Sequence, residues 1–153
     1  MTLADRSAVA ELIVSVENFS SIETDCAMEL VDIYLHDAKQ SDYNVAVAED
    51  SNSKVQAYAC WGAVPLTKGA FDLYWIATNP GSRGRGFGRA LMHYVERGAA
   101  ALNARLLAVE TSSKESYKKT IEFYHSLNYE EIARIKDFYD VGDDKLILVK
   151  RLS

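Results

Sequence analysis

Apolar residues recur every three to four positions over residues 4–16 and again over 22–36, where Ala27, Leu30, Val31 and Tyr34 share one face. That spacing predicts two amphipathic helices. The period then shortens. Residues 44–48, 55–64 and 71–77 read as strands, separated by the polar turns Asp50, Ser51, Asn52, Ser53 and Thr67, Lys68, Gly69. Three strands with such short connections predict an antiparallel meander. Trp61, Trp75 and Phe71 alternate with polar neighbours, as strand core residues should. Helical spacing returns over residues 85–103, with Phe87, Leu91, Tyr94, Val95 and Leu102 on one side, and residues 106–110 follow as a buried strand. Strand, helix, strand implies a parallel crossover. A last amphipathic helix is expected over residues 115–127, before a closing segment at 137–152.

The composition narrows the class of protein. A chain of 153 residues forms one domain, 1–153, able to bury a single core. A formal charge of −5 provides no broad basic face, so nucleic acid is not expected as a partner. No apolar run is long enough to span a bilayer, and the first residues, MTLADRSAVAELIV, lack the order of a signal peptide, so a cytoplasmic protein without a membrane partner is expected. Cys26 and Cys60 are too few for a disulfide framework or a zinc site, and both are expected to be buried, reduced thiols. His36, His93 and His125 form no set, and no metal is expected.

The chemistry lies between Ile76 and Met92, IATNPGSRGRGFGRALM. Gly84, Gly86 and Gly88 remove side chains between a strand and a helix, leaving backbone amides free to donate, with Arg83, Arg85 and Arg89 close by. A helix amino terminus adds its positive dipole end, so this loop is suited to a phosphate or pyrophosphate. A P-loop would need lysine and a hydroxyl after its last glycine, where Phe87 and Gly88 follow Gly86. A dinucleotide fingerprint would need glycine where Arg89 or Leu91 stands.

The loop does meet the pattern [QR]xxGx[GA] through Arg83, Gly86 and Gly88, and so resembles the acyl-CoA loop of the GNAT acetyltransferase superfamily. A second signature lies in YKKTIEFYHSLNYEE, where a helix carrying Tyr124 ends at Asn128 and Tyr129, similar to the superfamily's helix ending in Tyr and "LGF". Asn128 replaces the usual glycine, and asparagine tolerates the left-handed stop. Where the superfamily often has asparagine, this chain has Tyr117. The tail DFYDVGDDKLILVKRL is similar to that of some small members. Only Met1 to Leu3 precede the first helix, so the superfamily's first strand is short or missing, and a second copy or a neighbouring loop would cover the sheet edge.

The resemblance implies an α/β (α+β) fold: a mixed, mostly antiparallel twisted sheet with a central parallel pair and helices on both faces. It implies an acetyl-CoA-dependent N-acetyltransferase acting on a primary amine by direct transfer in a ternary complex. The pantetheine arm would pair with the backbone of Ile76, Ala77 and Thr78; the diphosphate would meet Arg83, Gly84, Arg85, Gly86, Phe87, Gly88 and Arg89, with Tyr117 nearby. Lys118 and Lys119 would be a solvated helix face or meet the adenosine phosphate. Tyr124 is the candidate general acid and otherwise a core tyrosine. Asp72 is the candidate base, Glu110 its rival, and a reaction without a protein base is the remaining alternative. Glu23, Asp25, Glu29, Asp143 and Asp144 would suit a cationic amine, or serve as helix starts and turn residues. Alternatives in other classes are an inactive CoA-binding regulatory module and a plain nucleotide-binding domain.

Overall fold

A computed structural model of the protein describes residues 1–152. The elements are α1 (Arg6–Val14), α2 (Ser21–His36), β1 (Asn44–Glu49), β2 (Val55–Ala63), β3 (Ala70–Thr78), α3 (Phe87–Ala101), β4 (Leu106–Ser112), α4 (Lys118–His125), β5 (Glu130–Asp140) and β6 (Asp143–Arg151). The strands form one sheet in the order β1-β2-β3-β4-β6-β5. Only β3 and β4 run parallel; every other neighbouring pair is antiparallel. This is the expected mixed sheet with its central parallel pair. Among the described residues no strand precedes α1: Leu3–Asp5 form a 3-10 turn held by Asp5 Oδ2, which accepts from Thr2 N at 2.6 Å. Among these residues the superfamily's first strand has no counterpart, and β1 is a sheet edge.

Helices cover both faces. Under α3 and α4, a layer of Trp61, Phe71, Leu73, Leu91, Val95, Leu107 and Leu148 excludes water; under α1 and α2, Val9, Ile13, Val31, Tyr58 and Cys60 do the same. Strand β2, next to the edge, is buried from Val55 through Gly62, as a strand covered on both faces must be. No helix is long and apolar enough to cross a membrane among the described residues.

Several local expectations change. Helix α3 starts at Phe87 rather than Arg85, because Gly86 has a φ of 89°, outside the helical region. Its buried stripe is Leu91, Met92, Val95 and Ala99. Tyr94 lies on the far side of Leu91 from Met92, and Leu102 sits past the last turn; each is 53% exposed. Cys26 is exposed on α2, whereas Cys60 is buried and its thiol is pushed up to about 12 by burial. The asparagine stop is as expected: Asn128 has a φ of 65°, and Tyr129 N donates to Tyr124 O at 3.1 Å across the turn.

Candidate active site

The pairing of β3 with β4 ends at Leu73 and Val109, although β3 continues to Thr78 and β4 to Ser112. A bulge explains the parting. Cys60 pairs with Trp75 and Trp61 with Leu73, leaving Tyr74 without a partner on β2. An extra residue bends its strand and raises the local twist. It also reverses the facing of the residues beyond it: Leu73 packs in the α3 layer, while Tyr74 and Trp75 pack toward α1 and α2. Trp75 is thus on the opposite face from Trp61 and Phe71, with Phe19 edge-on at 5.3 Å.

The gap opens into a cleft of about 1320 Å³. Leu73 to Thr78 line one wall and Glu110, Thr111 and Ser112 the other. The glycine loop closes one end through Arg83, Gly84 and residues Gly86 to Arg89; Tyr117, Lys119, Thr120, Phe123 and Tyr124 come from the last helix and its approach. Residues 16–19 close over the top: Asn18 O accepts from Tyr117 Oη at 3.1 Å, and Asn18 Nδ2 donates to Ser116 O at 3.1 Å.

The loop's donors are fewer than its length suggests. Ser82 N donates to Asn79 O at 2.8 Å, Arg83 N to Pro80 O, Arg85 N to Ser82 O, and Ala90 N to Gly86 O at 2.9 Å. The amides of Gly84, Gly86, Phe87, Gly88 and Arg89 have no such partner among the described residues, and α3 has no side-chain cap. Gly84 and Gly86 both have positive φ, at 76° and 89°. This donor set, at the positive end of a helix, fits a diphosphate. Among the arginines, Arg83 and Arg89 line the cleft, Arg89 also donating to Ser126 Oγ at 2.8 Å. Arg85 is not in the lining; its guanidinium stands 5.5 Å from the centre of the Phe87 ring. Lys119 lines the cleft, whereas Lys118 pairs with Glu115 at 3.6 Å.

Tyr124 is only 5% exposed yet lines the cleft. Burial pushes its phenol well above the usual range, so it stays protonated at any ordinary pH. Among the described residues, the side-chain polar atoms that are sealed without a partner are Tyr58 Oη, Trp61 Nε1, Glu96 Oε1 and Tyr129 Oη; Tyr124 Oη is not one of these.

The two carboxylate candidates share a face but not a position. Asp72 pairs with Ala108 across the parallel ladder, so Glu110 stands two residues further toward the cleft. Glu110 lines the cleft, half exposed and paired with Lys145; Asp72 is absent from the lining. Burial raises the Asp72 carboxyl, and the charge of Glu110 raises it further. The acids flagged for a cationic amine divide as well. Glu23 and Asp143 line the cleft. Glu23 also closes the capping box of α2, accepting from Ser20 N at 2.8 Å. Asp25 and Glu29 lie instead in a shallow depression on α2 with Asp32, which Arg6 grips at 2.6 and 2.7 Å.

Two features carried no strong signal in the sequence. Asp143 is 3% exposed and accepts from Ser112 Oγ at 2.5 Å, with Lys114 Nζ at 3.2 Å. Although its burial pushes upward, these donors outweigh it and hold the carboxyl below its usual range. Gln56 and Ser82 are both buried; Ser82, at the start of the glycine loop, lines the cleft, and Gln56 stands behind it. Lone polar residues in a strand and a turn look alike whether they face solvent or each other.

An amide-lined loop opening onto a slot between two diverging parallel strands defines the class: an α/β protein built to hold a phosphorylated carrier along an open strand edge. The family model of the acetyltransferase (GNAT) domain matches residues 41–131. A protein of Desulfovibrio desulfuricans assigned to the GNAT family of acetyltransferases is 36% identical in sequence, with a TM-score of 0.90 over 99% of this chain and 94% of its own. The ribosomal-protein-S18-alanine N-acetyltransferase of Escherichia coli has a TM-score of 0.77 at 20% identity, covering 100% of this chain and 91% of its own. An aminoglycoside 6'-N-acetyltransferase, solved with coenzyme A, has a TM-score of 0.75 at 12% identity, covering 99% of this chain and 93% of its own. A search of curated proteins found no match. The chain belongs to the GNAT acetyltransferase family.

Proposed function

We propose that this protein transfers an acetyl group from acetyl-CoA to a primary amine, directly and within a ternary complex. The observation that carries the reading is the β3–β4 gap, which joins the glycine loop, with its free amides, to Tyr124 in one cleft. Acetyl-CoA supplies the acyl group as an activated thioester. The amides of Gly84 and Gly86 to Arg89 hold the diphosphate, with Arg83 and Lys119 adding charge. Beyond Leu73 the β4-facing edge of β3 has no strand partner, so Ile76, Ala77 and Thr78 offer their backbone to the pantetheine arm.

Transfer forms a C–N bond and breaks a C–S bond; the amine gives its proton to a base, and the sulfur leaves as a thiolate that takes a proton from water once CoA is released. Tyr124 donates toward the sulfur. A free thiol titrates near about 8.5, below a buried phenol, so Tyr124 stabilises the leaving thiolate by hydrogen bonding rather than by surrendering its proton outright. Glu110, at the cleft wall, takes the proton of the amine, with Asp72 behind it as a second negative charge. The test has two stages. Thermal shifts should be larger with acetyl-CoA or CoA than with ATP, and CoA thiol should be released over an amine panel. Equal protection by ATP would return the chain to the plain nucleotide-binding class; protection without thiol release would make it a regulatory CoA binder.

A further inference from the structure

We propose that Gln56, acting through Ser82 at the cleft wall, is a positioning residue of the glycine loop and sets the affinity for acetyl-CoA without itself lining the cleft; the inference rests on the reading of that loop as the diphosphate site. Loop residues 83–86 are all exposed, and a Cβ added at Gly84 or Gly86 would meet nothing within 4 Å. The loop therefore has no packing of its own. On its amino-terminal side the nearest buried residue is Ser82, at 5% exposure, and on its carboxy-terminal side it is Leu91 in α3.

Ser82 is held by a directional chain. Its Oγ donates to Gln56 Oε1 at 2.6 Å, and Gln56 Nε2 donates to Asp50 Oδ2 at 2.8 Å. Asp50 Oδ1 in turn accepts from Asn52 N at 2.9 Å and Lys54 N at 3.1 Å, in the β1–β2 turn. A carboxylate only accepts, so the Gln56 amide nitrogen faces Asp50 and its oxygen faces Ser82. The Ser82 proton is thereby committed to Gln56 and is not offered to a ligand. The backbone repeats the link: Asn79 N donates to Gln56 O at 2.9 Å, Ser82 N to Asn79 O at 2.8 Å, and Ser82 O accepts from Arg85 N at 3.3 Å. Ser82 O thus fixes Arg85 between the two left-handed glycines, and with it the direction of the free amides.

A buried amide is not needed for stability here, since replacing both members of a buried polar pair by apolar groups is often nearly neutral. What the chain provides is a fixed point. Ser82→Ala should raise the KM and the calorimetric Kd for acetyl-CoA about tenfold, the worth of one hydrogen-bonded support, with kcat within about twofold. Ser82→Thr, which keeps the hydroxyl, should restore affinity. Hydrogen exchange at residues 83–89 should quicken in Ser82→Ala without any ligand, which separates the positioning claim from the CoA reading. Asp50→Ala, at an exposed turn, should give the same pattern more weakly and serves if Ser82→Ala does not fold. Unchanged exchange, or a lowered Tm with Kd unchanged, overturns the proposal. Faster exchange in a protein that binds no CoA overturns the diphosphate reading and leaves Gln56 as the support of a loop with another ligand.

Discussion

Ser112 donates its hydroxyl to Asp143 at 2.5 Å, tying the free end of β4 to the start of β6 at the rim of the cleft. The neighbours reinforce the tie: Asp144 N donates to Ser113 Oγ at 2.8 Å, and Ser113 N to Asp144 O at 2.9 Å. Past Val109, β4 has lost β3 as a partner, so this clasp helps keep the gap at a fixed width. Asp143→Ala leaves Ser112 and Lys114 without their acceptor and should cost about 1–3 kcal/mol in urea denaturation. The pH dependence has a definite sign. The folded carboxyl titrates below its unfolded value of about 3.9, so its contribution is present above that pH and is lost as pH falls through the folded value. Asp143→Asn should therefore flatten the loss of stability below about pH 4; an unchanged acid slope would show that the carboxylate carries no such linkage.

Tyr124 combines near-complete burial with a place in the cleft lining. If its hydroxyl serves the sulfur, Tyr124→Phe should lower kcat by about 10²–10³, the usual range for one hydrogen-bond donor to charge developing in the transition state, with the Kd for CoA held within about twofold. The ring remains, packed 5.7 Å from Tyr129 and 5.6 Å from Phe123, so the fold should not respond. A Tm lowered by several degrees with kcat preserved would make Tyr124 a core tyrosine and no more.

Glu110 lies two residues beyond the ladder partner of Asp72, and that offset decides which of them meets an acceptor. Glu110→Gln should abolish the acidic limb of the kcat/KM profile and lower the plateau by about 10² or more. Asp72→Asn should keep the limb and lower the plateau far less, because Asp72 does not line the cleft. The reverse pattern, with the limb lost only in Asp72→Asn, would hand the role to the more buried carboxylate. A limb kept in both variants would mean that no protein base is used.

The periodicities of the chain made the helices and the first four strands readable, and the glycines made the anion loop readable, because each is a local property; β5 and β6 were foreshadowed only by the resemblance of the closing segment. Asn128 and its left-handed turn were legible for the same reason. The bulge at Tyr74 was not. It depends on the pairing of β3 with β2, a long-range register, and nothing in the run LYWIA distinguishes a bulged strand from a regular one. Trp75 accordingly faces the layer opposite to Trp61. The loss of Asp72 from the cleft has the same origin, since residue spacing along β3 says nothing about where β4 departs. The Asp50–Gln56–Ser82 chain joins residues up to 32 positions apart and leaves no periodic trace. Loop amides are a middle case: their presence follows from glycine, but which of them are free depends on the turn at Pro80–Ser82.

Glycines 62 and 86 demand their residue type for opposite reasons, and substitution should separate folding from binding. At Gly62, near the end of β2, an added Cβ would lie 1.9 Å from the carbonyl oxygen of Asp42 and 3.1 Å from the ring of Tyr74. Backbone must move, so Gly62→Ala should cost about 3 kcal/mol, toward the upper end for overpacking, read from the denaturation midpoint. At Gly86 an added Cβ meets nothing within 4 Å, but a φ of 89° is strained for any L side chain by about 1–2 kcal/mol. Relief of that strain rotates the first turn of α3, where the free amides lie. Gly86→Ala should thus weaken CoA binding by at least about tenfold while lowering Tm by only a few degrees. Gly62→Ala, measured under conditions where it is folded, should bind CoA nearly as the natural chain does. Should Gly86→Ala bind CoA with unaltered affinity, the helix amino terminus cannot be the seat of the diphosphate.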